Sequence, residues 1–101
     1  MVSRKRKVLI DNEAKTYLRK AYNYIKNDSP QNAEKVKNKI LTSIMALQNN
    51  PEMHPPDKFR LNNDGSFRAF EIYKYRITYQ ISPHQINVIR IRHSRMNPLE
   101  Y

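Results

Sequence analysis

Arginine, histidine and tyrosine gather in the last third of this 101-residue chain, in an order that could hold a polyanion. In Tyr75-Arg76-Ile77-Thr78-Tyr79-Gln80-Ile81 apolar and polar residues alternate without a break. That is the period of a half-buried strand, with Tyr75, Ile77, Tyr79 and Ile81 on one face and Arg76, Thr78 and Gln80 on the other. A second run, Ile86-Asn87-Val88-Ile89-Arg90-Ile91-Arg92, leads into His93-Ser94-Arg95 and on to Tyr101. With Arg76 on the open side of the sheet, Arg90 and Arg92 are expected beside it, and Ile89 and Ile91 face inward. The parity is imperfect, because Ile86 and Val88 then share a face with the arginines.

Guanidinium groups grip phosphate through two parallel hydrogen bonds and keep their charge at physiological pH. Around a phosphodiester they would stabilise the extra charge of a pentacovalent transition state. The alternative is structural: Arg76, Arg90 and Arg92 shield a solvent-facing sheet, or pair with Glu71 and Glu100. As a histidine, His93 is a candidate for proton transfer, yet a single histidine at a strand end more often bonds backbone. Tyr101 could stack on a base or lend its hydroxyl, or fray as a terminal residue does.

Other chemistries find little support. His54, His84 and His93 share no metal-ligand spacing and cysteine is absent, so no metal site is expected. Gly65 is the one glycine, which excludes a glycine-rich phosphate loop, and no cofactor is expected. Nineteen Lys and Arg against nine Asp and Glu give a net charge of +10, a field that concentrates anionic partners. Nucleic acid is one such partner and an acidic protein another. No secretory leader pattern follows Arg4-Lys5-Arg6-Lys7, and no run reaches the ~20 apolar residues of a membrane span, so a cytoplasmic protein is expected.

The elements that must position these residues can be read from the rest of the chain. Residues 1–101 form one domain, with residues 1–7 as a basic N-terminus expected to be mobile. Val8-Leu9-Ile10 is a short strand. Asp11 is a candidate N-cap for a helix whose stripe is Ala14, Tyr17, Leu18, Ala21, Tyr22 and Ile25. Asn27-Asp28 ends it. Ser29-Pro30 starts a second helix as N-cap and first helical residue, with Ala33, Val36, Ile40, Ile44 and Leu47 on its inner face, stopped by Asn49-Asn50-Pro51. Tyr17, Tyr22, Tyr75 and Tyr79 lie on apolar stripes and are read as core. Residues 51–66, rich in Pro and Asn, form a long loop of the kind that is often functional. Strands follow from Phe67 to Tyr73, over Tyr75–Ile81, and after Ser82-Pro83-His84-Gln85. The order β-α-α-β-β-β predicts an α+β domain with a helix hairpin packed on one face of a twisted antiparallel sheet.

This order, with Ser29-Pro30-Gln31-Asn32-Ala33, Tyr75-Arg76-Ile77-Thr78-Tyr79 and Ile91-Arg92-His93-Ser94-Arg95, resembles the RelE/ParE superfamily of toxins from type II toxin–antitoxin systems over nearly the whole chain. The resemblance implies a cognate antitoxin with an acidic or amphipathic segment, a toxin–antitoxin hetero-oligomer, and one of two targets. RelE-like members cleave mRNA on the ribosome without a metal. ParE-like members have no nuclease activity and poison DNA gyrase. The ribonuclease is the expected function, Tyr101 tilting the resemblance that way, with the gyrase poison as the alternative. On the ribonuclease reading Arg76 and Arg95 hold the scissile phosphate, His93 or Tyr101 assists proton transfer, and Arg68, Arg90 and Arg92 bind RNA. Phe70 stands where a second lysine of the ribonucleases is expected, which speaks for the gyrase poison. A third reading is an inactive relative that only binds antitoxin or DNA.

Overall fold

The structure, a computed structural model, describes residues 6–95. Its elements are β1 (Lys7–Ile10), α1 (Asn12–Asp28), α2 (Pro30–Met45), β2 (Phe67–Ile72), β3 (Tyr75–Ile81) and β4 (Gln85–His93). The expected α+β class and element order are present. The sheet order is β1-β4-β3-β2, antiparallel except that β1 runs parallel to β4, so the sheet is mixed. A parallel neighbour needs a crossover connection, and here the crossover is everything between β1 and β4.

The helices are joined by Ser29 alone. Its N–H donates to the Ile25 carbonyl and ends α1, while its hydroxyl accepts from Asn32 N–H at 3.1 Å and starts α2. Proline at the next position lacks only a donor that would have gone unused. Asp11 occupies the N-cap of α1 without a side-chain hydrogen bond there. A short 3₁₀ turn, Ala46–Gln48, extends α2 and buries Leu47.

One face of the sheet and the hairpin share the core: Ala14, Ala21, Ile40, Ile44 and Leu47 against Phe70, Tyr75, Ile77, Tyr79, Ile86, Val88 and Ile91. Tyr22 departs from the expected core. It is only half-buried, and its hydroxyl donates to Glu34 across the outside of the hairpin at 2.6 Å, with the Lys37 ammonium 4.9 Å above the ring. The buried positions of α1 are Ala14 and Ala21, with Tyr17, Leu18 and Ile25 packed against the core beside them.

A β-bulge accounts for the imperfect parity of β4. Thr78 pairs with Arg90 and Tyr79 with Val88, so Ile89 is an extra residue. The bulge switches the side-chain alternation at that point. Ile86 and Val88 before it and Ile91 after it are therefore all buried on the helix face, and Arg90 and Arg92 take the other face beside Thr78 and Arg76.

Candidate functional site

The long loop decides what the far face of the sheet can do, and it begins on the opposite side. At residue 51 the Pro51 carbonyl accepts from the Tyr79 hydroxyl at 2.5 Å. Burial pushes that phenol's pKa up to about 12. The His54 ring stacks on Phe70 at 4.2 Å, and burial lowers its pKa. The chain then rounds the β2 edge, where Pro56 bridges to Arg68 and Asp57 N–H donates to the Phe67 carbonyl at 2.8 Å. This covers part of an edge that would otherwise offer itself to other strands. Beyond it, the loop lies on the far face. Asn63 holds the turn closed, its amide nitrogen donating to the carbonyls of Asp57 and Phe67 while its oxygen accepts from Gly65 and Phe67 N–H. Gly65 has φ +97°, a conformation L side chains rarely adopt.

On the far face Asp57 is buried and meets Arg76 head on, with Nη2 donating to Oδ1 at 2.7 Å. Glu71 lies 3.9 Å from the same guanidinium, and the Phe59 ring sits 4.8 Å from its central carbon. Charge-assisted bonds of this length are about twice as strong as neutral ones. Arg76 is therefore neutralised and roofed by its own chain.

Beside it is a cleft of about 220 Å³ lined by Asp57, Lys58, Phe59, Glu71, Arg76, Thr78, Arg90 and Arg92, with His93 and Ser94 at one end. Arg92 lies directly across the ladder from Arg76. Its Nε is buried and has no hydrogen-bond partner among the described residues.

The structure thus brings Arg76, Arg90 and Arg92 onto one face, as the sequence predicts, but it scatters the remaining expected site. Arg68 pairs with Tyr79 and so belongs to the helix face. There it staples the loop, donating to the carbonyls of Gly65, Glu52 and His54, the last at 2.7 Å. It does not line the cleft. His93 pairs with Tyr75 on the helix face, its ring edge-on to that tyrosine at 5.3 Å. Its Nδ1 accepts from Arg95 N–H at 3.1 Å and its own N–H donates to the Tyr17 hydroxyl, so it closes the strand end and reaches the cleft only at the rim. Arg95 is exposed past β4 and does not line the cleft. Tyr101 lies outside the described residues. Glu100, a suggested partner for these arginines, does too. Phe70 is core, which explains why no lysine stands there.

Three cleft residues were not foreseen: Asp57, Lys58 and Phe59. The only signal was an acid and an aromatic in a proline-rich loop, in a chain with few acids.

A helix hairpin on a small mixed sheet, with a loop-roofed basic cleft behind it, is the architecture of a compact toxin domain of the kind the resemblance implies. The model of the "ParE toxin of type II toxin-antitoxin system, parDE" family matches residues 8–98, and the chain belongs to that family. A solved structure described as the chromosomal ParDE TA system from P. aeruginosa is similar in fold, with a TM-score of 0.69 at 18% identity, covering 90% of this chain and 98% of that one. No curated relative matches the chain in sequence. No helix among the described residues is long and apolar enough to cross a membrane.

Proposed function

We propose that this chain is the toxin of a type II toxin–antitoxin pair and arrests growth by binding and poisoning DNA gyrase, without enzymatic activity of its own. The observation that carries this is the state of Arg76. The arginine that would have to meet a scissile phosphate is committed to buried Asp57 at 2.7 Å and roofed by Phe59. To serve RNA cleavage it would have to break a buried ion pair, at a cost of several kcal/mol, about 3–5 when such a pair loses one partner. Arg68, meanwhile, faces the other side of the sheet. Family membership points the same way, since ParE-like members are the gyrase-directed branch. Cleavage of mRNA on the ribosome is the competing reading, and Arg90, Arg92 and the His93 rim are what favour it.

The partner that restrains the toxin would be a cognate antitoxin whose acidic or amphipathic segment suits a chain of net charge +10. Supercoiling of relaxed plasmid by purified gyrase, with the toxin added, tests the assignment. Inhibition that follows toxin concentration, with ribosome-bound mRNA left intact, is the expected result. Codon-register cuts in mRNA with supercoiling unaffected would overturn it.

A further inference from the structure

We propose that the cleft on the far face of the sheet is a receptor for a single carboxylate side chain presented by an acidic peptide segment of a partner protein, with Arg92 as its principal ligand. The inference rests on the reading of this protein as one that binds an acidic partner segment.

Arg76 and Arg92 stand directly opposite each other on neighbouring strands, an arrangement that like charges destabilise unless they are neutralised. Among the described residues this is answered for one of them only. Asp57 at 2.7 Å and Glu71 at 3.9 Å serve Arg76, while no carboxylate among the described residues pairs with Arg92. Its buried Nε–H is also without an acceptor. A carboxylate entering the cleft that Arg92 lines supplies the missing countercharge to the guanidinium, the Nε–H itself being closed to an incoming group. The Asp57–Arg76 pair shows that this wall of the sheet already accommodates such a group.

Size and charge select the class of ligand. About 220 Å³ is below the usual range of small-molecule sites, roughly 300–1,000 Å³, and suits one side chain. Phe59 offers apolar surface to the methylenes of a glutamate. Asp57 and Glu71 repel a second negative charge close to the first, which penalises a phosphodiester chain far more than a peptide with spaced acids.

The arginine Nε–H region of the ¹⁵N–¹H spectrum of the full chain reports on the site directly, the Arg92 signal being assigned by its loss in Arg92→Lys. The probe is a blocked Glu-Ala-Glu-Ala-Glu peptide, with its glutamine counterpart and an oligouridylate as comparisons. A saturable shift of the Arg92 signal with the glutamate peptide alone, weakened at least tenfold in the affinity that backbone amide shifts report for Arg92→Lys, is expected. No saturable shift, or a response to oligouridylate at lower concentration, overturns the proposal. Peptide binding by a protein that cuts mRNA would sink the gyrase assignment and leave the site standing. Gyrase inhibition by a protein blind to the peptide would do the reverse.

Discussion

Asp57 and Arg76 are nineteen residues apart in sequence and form an ion pair at 2.7 Å in which the carboxylate is buried and the guanidinium partly so. The pair fixes the long loop to the back of the sheet and takes the central arginine out of circulation. A strand arginine that reads as catalytic is thereby made part of the fold.

If so, Arg76→Ala strands a buried carboxylate and lowers stability by about 3–5 kcal/mol. The paired change Asp57→Leu/Arg76→Met removes both charges and recovers most of the loss. Urea denaturation of both single variants and the pair checks this through the coupling energy. Additive losses would mean that the two residues do not depend on each other.

Arg68 holds three loop carbonyls. Arg68→Ala should cost about 1 kcal/mol through the loss of hydrogen bonds to partly buried and exposed carbonyls. Amide exchange across residues 52–66 should accelerate while the helix hairpin stays protected. Unchanged exchange in the loop would contradict the stapling role.

His54 stacks on Phe70, and its burial lowers its pKa below the ordinary value. The unfolded chain then binds a proton more readily than the folded one in the window below about pH 6.5. Stability contributed by neutral His54 is present above that value and is lost as pH falls through the folded pKa. The urea midpoint should drop between pH 7 and pH 5.5, and His54→Gln should flatten that dependence. An equal slope in the variant would remove His54 from the account.

Ile89 is the residue the ladder does not need. Its deletion converts β4 into a regular strand, with Val88 and Ile91 still inward and Arg90 and Arg92 still outward, so the variant should fold. Deleting Thr78 from β3 instead reverses the faces of one half of that strand and should abolish folding. Far-UV and near-UV circular dichroism of the two deletions distinguishes them, and the opposite ranking would contradict the bulge.

How much of this was legible followed from locality. Ser29-Pro30 and the heptad-like stripes announce the hairpin, because capping and helical periodicity are encoded within a few residues. The alternation of Tyr75–Ile81 likewise announces β3. The bulge at Ile89 was visible only as a broken pattern, since Ile86, Val88, Ile89 and Ile91 are alike in type and nothing local says which is surplus. The parallel pairing of β1 depends on the whole path between its ends. Asp57, Lys58 and Phe59 escaped because an aperiodic loop carries no face, and their role exists only once residues 51–66 have rounded the β2 edge. The face that Arg68 takes is likewise not local, being set by its pairing with Tyr79.

The central claim is that the toxin acts on gyrase by binding and needs no free arginine at Arg76. Purified gyrase supercoiling a relaxed plasmid should therefore be measured with wild type and with the refolded Asp57→Leu/Arg76→Met variant side by side, the same samples being mapped for cuts in ribosome-bound mRNA. Comparable inhibition by both proteins, with intact mRNA, is the predicted result. Uninhibited gyrase together with mRNA cuts that vanish in the variant would contradict the account and restore Arg76 to catalysis.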